Sequence, residues 1–215
     1  MNVIFIAPPA AGKGTQAEML SKDYNLYHLS TGDELREVAK TDTLLGKRIK
    51  ELIDNGNFVS DELIFELLEY KINSLDGVNG IIFDGVPRTL EQVHALDKLI
   101  KIDYVIYLDV EKEVAMKRAV GRVTCPICNN IFNTYFDKID DNKCNTCKVE
   151  LSKREDDTEE KFNHRFDTYL LRTEPVIDYY KKRGILYIVK NIGTKYDIYE
   201  NIKSVINKGN NLWLT

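Results

Sequence analysis

Residues 3–15 read Val3-Ile4-Phe5-Ile6-Ala7-Pro8-Pro9-Ala10-Ala11-Gly12-Lys13-Gly14-Thr15. The β-branched and aromatic run predicts a buried strand, and the small residues after it predict a tight loop that opens a helix. This arrangement is typical of a phosphate-binding loop, in which backbone N–H groups and the helix N-terminus surround a polyphosphate. Ala7 stands where the usual G-x-x-x-x-G-K-[ST] pattern has its first glycine. The alternative is an ordinary strand-to-helix turn of small residues.

The size and charge of the chain restrict its class. Its 215 residues suffice for one substantial core with inserted modules, and its formal net charge of −4 provides no general basic field for nucleic acid. The apolar runs are strand-sized, and the N-terminus lacks a charged leader. We therefore expect a cytoplasmic protein with neither a nucleic-acid nor a membrane partner.

Strand and helix patterns alternate along the chain. Short apolar runs predict five strands, at Val3–Ile6, Tyr27–Leu29, Ile81–Asp84, Tyr104–Leu108 and Leu186–Val189. Helical patterns separate them, around Thr15–Asp23, Leu90–Lys101, Lys112–Val120 and Glu159–Lys182. The alternation predicts an α/β fold with a parallel sheet flanked by helices, whose ligands bind beyond the carboxyl ends of the strands.

Two stretches interrupt this alternation and predict modules inserted into the core. The first, from Thr31 to about Asn73, is helical; it contains one clear helix at Thr43–Asn55, then a turn and a helix start at Ser60 or Asp61. The second, from Val123 to about Lys153, contains all four cysteines of the chain.

The cysteines form two C-x-x-C knuckles, Cys125/Cys128 and Cys144/Cys147, separated by fifteen residues. This spacing can place four thiolates tetrahedrally around Zn²⁺, without an open position for catalysis. We expect a structural zinc ion that helps a small module to fold. The alternatives are two local disulfides, which a reducing compartment disfavours, or free thiols.

Several motifs, taken in order, resemble the adenylate kinase family from about Asn2 to Asn201. Asp84-Gly85-Val86-Pro87-Arg88-Thr89 is similar to its D-G-[FY]-P-R-[ST] signature, and the segment Ser30–Arg36 matches S-T-G-D-x-[LF]-R. Gly121-Arg122 and Arg154-Glu155-Asp156-Asp157 match the borders of its lid. The resemblance implies a P-loop NTPase-type core (1–29, 60–121 and 159–215), a nucleoside-monophosphate-binding insertion (30–59) and a zinc-containing lid (122–158).

The resemblance also implies an activity, the reversible transfer of the terminal phosphoryl group of ATP to AMP to give two ADP, and with it a role in adenine nucleotide homeostasis. The implied ATP site comprises Ala10, Ala11, Gly12, Lys13, Gly14, Thr15, Arg118, Arg122 and Lys195. The implied AMP site comprises Thr31, Arg36, Val59, Gly85, Arg88, Gln92, Arg154 and Arg165. Catalysis is assigned to Lys13, Asp84, Arg88, Arg122, Arg154 and Arg165.

Some of these roles are more specific. Thr15 is expected near the Mg²⁺ that accompanies ATP, and Asp84 is expected to organise the water shell of the ion. Gln92 is expected to bind the adenine edge of AMP, and the backbone carbonyl of Lys195 the donor adenine. Arg36 and Arg88 can grip the AMP phosphate through paired N–H donors. The family expectation is a monomer.

Two other functions stay open at this stage. The chain could be a sibling nucleoside-monophosphate kinase with another acceptor base, although Gln92 and Thr31 favour adenine. A zinc-ribbon protein that binds nucleic acid is the other alternative, but the segment between Cys125 and Cys147 lacks a basic, aromatic face. His28, His94 and His164 join neither a cysteine knuckle nor a triad, and we predict that they are packing or surface residues.

Overall fold

The computed structural model describes residues 1–55 and 59–211. The strands are β1 (Val3–Ile6), β2 (Tyr27–Ser30), β3 (Ile81–Asp84), β4 (Tyr104–Asp109), β5 (Arg122–Thr124), β6 (Ile131–Asn133) and β7 (Leu186–Lys190). The helices are α1 (Lys13–Tyr24), α2 (Thr31–Ala39), α3 (Leu44–Asp54), α4 (Asp61–Asn73), α5 (Leu90–Leu99), α6 (Lys112–Val120), α7 (Glu159–Lys182) and α8 (Lys195–Asn211). The turn predicted just before Ser60 includes residues 56–58, which lie outside the described ranges.

Within the described residues, a five-stranded parallel sheet has the order β2-β3-β1-β4-β7. Its two faces are covered by helices, and β1 shows why its sequence is continuously apolar. Val3 and Phe5 pack on one face with α1 and α8, whereas Ile4 and Ile6 pack on the other face. The predicted parallel sheet with helices on both sides is confirmed, and its five strands lie where the sequence placed them, to within one residue.

The predicted helix limits differ from the observed ones by two residues at two ends and by one residue at most elsewhere. Helix α1 begins at Lys13, two residues before the predicted start, because Gly12 adopts a left-handed conformation (φ 84°) that turns the chain directly into the helix. Helix α5 ends at Leu99 because Ile100 is extended. The predicted helices at Lys112–Val120 and Glu159–Lys182 have the expected limits.

The two inserted stretches have different architectures. Helices α2, α3 and α4 occupy the first, which agrees with its helical pattern. The second contains an antiparallel pair, β5 and β6, over a small cluster formed by Val123, Cys125, Cys144 and Leu151. That these stretches are separate domains with the predicted boundaries stays a prediction. In the described ranges, none of the helices has both the length and the apolar character that crossing a bilayer requires.

Candidate active site

The loop between β1 and α1 lies at the carboxyl end of the central strand and is held by a distant residue. The side-chain amide of Asn191, just after β7, donates a hydrogen bond to the Ala11 carbonyl over 2.5 Å. Ala10 has a φ of 59°, whereas Ala7 is not among the described residues with positive φ. The alanine at position 10 therefore carries a backbone cost of about 1–2 kcal/mol that glycine would avoid, and Ala7 carries none.

Asp84 ends β3 beside this loop and is hydrogen-bonded to a histidine. His28 Nε2 lies 3.2 Å from Asp84 Oδ2. Burial alone would raise the pKa of Asp84, but the hydrogen bond from His28 and the charges of Lys13 and Arg88 outweigh it and lower the pKa. His28 was predicted to be a packing or surface residue; the structure adds a hydrogen bond to Asp84, whose catalytic role stays a prediction. In the sequence, the feature that could have indicated this contact is that His28 is a polar side chain within a short apolar strand.

Positive charges converge on the same place. Burial, together with the charges of Arg88, Arg165 and Arg122, lowers the pKa of Lys13 to about 8, although Asp84 opposes this shift. The pKa of Arg88 is lowered to about 10 by burial and by Arg165 and Arg36. These groups repel one another in the absence of an anion, so the site is electrostatically prepared to bind one.

Arg154 belongs to the same cluster. Burial and the charges of Arg122 and Arg36 lower its pKa to about 10. Five predicted arginines thus lie close enough to influence one another or Lys13: Arg36, Arg88, Arg122, Arg154 and Arg165.

Carboxylates partly neutralise three of these arginines. Arg122 donates two hydrogen bonds to Asp157, whose side chain is 1% exposed. Arg165 donates to Asp156 over 2.8 Å. Arg36 donates to Asp33 within its own helix. The sequence motifs include these aspartates, but their pairing with arginines was not predicted.

A cleft beside the cluster is lined by most of the predicted acceptor site. The cleft is partly open to solvent. Its walls include Lys13 and the following predicted AMP-site residues: Thr31, Arg36, Val59, Gly85, Arg88, Gln92 and Arg165. Of the predicted AMP site, Arg154 alone is not among the lining residues, although it lies within the electrostatic reach of Arg36.

Gln92 is held at both ends of its amide. Its Oε1 accepts a hydrogen bond from the backbone N–H of Arg88 over 2.7 Å, and its Nε2 donates to Asp61 Oδ1 over 2.6 Å. The side chain is 3% exposed yet contributes to the cleft wall. The sequence predicts for Asp61 only a place at the start of a helix.

Two predicted donor-site residues have other partners in this structure. Arg118 donates to Asn191 Oδ1 over 2.9 Å, and burial alone lowers its pKa, so it stands apart from the arginine cluster. The Lys195 carbonyl accepts from Gln16 Nε2 over 3.0 Å. Asn191, which joins Arg118 to the loop, was not predicted. Its position after β7 could have indicated it, because ligands bind where parallel strands end.

The four cysteines form a group that fits a zinc ion. Their sulfur atoms all lie within 4.8 Å of one another, and the sulfurs of Cys128 and Cys144 are 3.7 Å apart. Zn–S bonds of about 2.3 Å in a tetrahedron require sulfur separations of about 3.8 Å. The backbone N–H of Cys147 also points at the sulfur of Cys144. A tetrahedral thiolate site is therefore compatible with this geometry.

Comparison with known proteins identifies the family. The sequence model described as "Adenylate kinase" matches residues 5–185. The chain belongs to the adenylate kinase family. Among proteins named adenylate kinase, that of Archaeoglobus fulgidus is 42% identical over 214 residues, covering 97% of this chain and 99% of its own. Those of Thermodesulfovibrio yellowstonii (38% identical; 97% and 100% covered) and Clostridium kluyveri (37% identical; 96% and 98% covered) are also similar over nearly their full length.

Proposed function

We propose that this adenylate kinase family member catalyses ATP + AMP ⇌ 2 ADP. The observation that carries the proposal is the cleft in which Lys13 and Arg88 meet Gln92. Both substrates are polyanions. Burial is the main cause of the lowered pKa values of Lys13 and Arg88, and nearby arginines add to it, so excess positive charge lies in a site with little water. Bound phosphates would neutralise this excess, so that substrate binding and charge stabilisation have the same physical cause.

In the proposed reaction, an oxygen of the AMP phosphate attacks the terminal phosphorus of ATP, and the bond to the bridging oxygen of ADP breaks. The acceptor oxygen is already ionised, so no general base is needed. The transition state is loose, with negative charge spread over the equatorial oxygens of the transferred group. We assign stabilisation of this charge to Lys13, Arg88, Arg122, Arg154 and Arg165.

We further propose the assignment of the two nucleotides. The donor phosphates lie on the loop Ala10–Thr15, with Arg118 and Arg122 and the Lys195 carbonyl completing the ATP site. The acceptor lies in the cleft formed by Thr31, Arg36, Val59, Gly85, Arg88 and Gln92, with Arg154 and Arg165 at its phosphate. If the Lys195 carbonyl is to accept a hydrogen bond from the donor base, the base has to replace the hydrogen bond that Gln16 now donates.

The donor set suits magnesium. Mg²⁺ prefers oxygen ligands and keeps several waters, and the Thr15 hydroxyl and the Asp84 carboxylate supply oxygens beside the loop. The lowered pKa of Asp84 keeps that carboxylate ionised. When bound with ATP, the ion would neutralise phosphate charge; Asp84, steadied by His28, would hold its waters. The cysteine group would hold a structural Zn²⁺ without a catalytic role.

The setting of the enzyme is part of the same proposal. Four cysteines without disulfides suit a reducing compartment, and we place the enzyme in the cytoplasm as a monomer whose partners are ATP, AMP and ADP. The second candidate is a sibling kinase with another acceptor base, which the same cleft would serve if Gln92 recognised a different base edge.

A coupled assay with ATP and each of AMP, UMP, CMP and GMP tests the proposal. We expect AMP to be the best acceptor by at least about tenfold in kcat/KM. Arg88→Ala should lower turnover by at least about a thousandfold, because one guanidinium facing the transferred phosphoryl group contributes several kcal/mol. Unchanged thermal unfolding would show that the variant is folded. Preference for another monophosphate, or near-normal turnover of Arg88→Ala, would contradict the proposal.

A further inference from the structure

Asp61 closes a hydrogen-bond network around the amide of Gln92. Its Oδ1 accepts from Gln92 Nε2 over 2.6 Å, and its Oδ2 accepts from the Thr89 hydroxyl over 3.3 Å. Thr89 in turn caps α5, accepting from the backbone N–H of Gln92 over 3.2 Å. The start of α4 is thereby joined to the side chain that lines the acceptor cleft.

The network leaves Gln92 with one orientation. The backbone N–H of Arg88 is a donor, so it must meet the amide oxygen; the Asp61 carboxylate is an acceptor, so it must meet the amide nitrogen. A rotated amide would place N–H against N–H and oxygen against oxygen. One lone pair of Oε1 and one N–H of Nε2 remain for a ligand, and their positions cannot be exchanged.

This orientation distinguishes two kinds of purine. An adenine edge offers a donor at N6 and an acceptor at N1, which match a fixed acceptor–donor pair. A 6-oxopurine offers an acceptor at O6 and a donor at N1, and it would need the amide rotated. A ligand that leaves buried polar groups unpaired is rejected strongly.

We propose that Asp61 is a positioning residue that sets the acceptor-base specificity by locking Gln92 in the orientation for a 6-aminopurine. The inference rests on the proposed function, since it assumes a purine monophosphate in this cleft. We place Asp61 out of contact with the phosphoryl groups. It acts through Gln92 alone.

Asp61 also has a purely structural interpretation. It is the first residue of α4, where a carboxylate stabilises the helix dipole. In that case both Asp61→Ala and Asp61→Asn remove the charge, both lower stability, and neither changes the choice between bases. If Asp61 positions Gln92, the two variants differ in their choice between bases. Asparagine can still present an oxygen to Gln92 Nε2 and an N–H to Thr89, whereas alanine can present neither.

The test measures kcat and KM with ATP and either AMP or IMP, which differ only at C6 and N1. The variants are Asp61→Ala, Asp61→Asn and a control, Asp97→Ala. Asp97 lies on α5 and accepts hydrogen bonds from Tyr179 and Arg183, away from Gln92. The control therefore removes a hydrogen-bonded carboxylate of α5 without touching the amide.

We expect Asp61→Ala to lower the ratio of kcat/KM for AMP to that for IMP by at least about tenfold, mainly through a higher KM for AMP. Asp61→Asn should keep the ratio within about threefold of the parent, and Asp97→Ala should leave it unchanged. If Asp61→Ala is too unstable to assay, a parent-like ratio for Asp61→Leu would overturn the proposal, and a lowered one would support it.

Equal losses with both acceptors in Asp61→Ala would overturn the inference. The inference would also be overturned if the ratio of kcat/KM for AMP to that for IMP fell as far in Asp61→Asn as in Asp61→Ala. If the parent enzyme itself does not phosphorylate AMP, the proposed function fails, and that failure is separate because it is seen before any variant is made.

Discussion

Replacing Lys13 by methionine should stabilise the nucleotide-free protein while abolishing turnover. The pKa of Lys13 falls from 10.5 to about 8, mainly because the ammonium group is buried. A tenfold change in a protonation equilibrium corresponds to about 1.4 kcal/mol, so the charged side chain costs the folded state about 3 kcal/mol at pH 7. Methionine has a similar length and carries no charge.

The lowered pKa of Lys13 also determines how the stability difference between the parent and Lys13→Met changes with pH. Below pH 8, Lys13 is charged in both the folded and the unfolded chain, and the full cost is present. Between pH 8 and 10.5 the unfolded chain binds more protons at this residue, so the parent gains stability as the pH rises. The advantage of Lys13→Met should therefore shrink from about 3 kcal/mol at pH 7 to about half of that at pH 9.5.

Urea unfolding followed by far-UV circular dichroism, on protein saturated with zinc, measures both values. Lys22→Met is the matched control, since Lys22 lies on the same helix with a side chain that is 73% exposed. A bisubstrate mimic that joins two adenosines through a polyphosphate should reverse the order by stabilising the parent more than Lys13→Met. A variant no more stable than the parent at pH 7, or an advantage that does not shrink at pH 9.5, would refute the reasoning.

Two further predictions concern the zinc ion and the arginine–aspartate pairs. Removing zinc with a chelator should lower the melting temperature and make residues 123–153 the first site of proteolysis, because the small cluster around Val123 is too small to fold alone; intact-protein mass spectrometry that finds no metal would contradict this. Asp157→Ala should lower the free energy of unfolding by about 3 kcal/mol, since it leaves Arg122 without the hydrogen bonds of a buried partner. Asp33→Ala, which removes a 63%-exposed partner of Arg36, should cost less than about 1 kcal/mol in the same denaturation experiment, and equal costs would show that burial is not the cause.

The sequence predicted best what depends on local patterns. Continuous apolar runs such as Val3–Ile6 identified strands covered on both faces, and the helical pattern at Glu159–Lys182 gave the limits of α7. The gathering of Lys13 with distant arginines was expected from the resemblance to a known family. Without that resemblance, the strand ends would have indicated a phosphate site and little about its acceptor.

What the sequence missed depends on contacts between distant segments. Asp61 and Gln92 are 31 residues apart, and Asn191 contacts a carbonyl 180 residues away. Neither contact has a spacing that a motif could record, because each arises from how helices and strands pack. His28 and Asp84 likewise come together only because β2 and β3 are neighbours in the sheet.

The paired arginines have a consequence for which anions the proposed enzyme would admit. Each of Arg36, Arg122 and Arg165 already has a carboxylate oxygen in its reach. Chloride or inorganic phosphate would have to displace a carboxylate that is already bound to the arginine, and the free energy gained by this displacement would be small. A nucleotide offers several phosphate oxygens together with a base and a ribose, and it can compete for more than one guanidinium at once. These aspartates would therefore weaken the binding of small background anions at the three arginines more than they weaken the binding of a nucleotide.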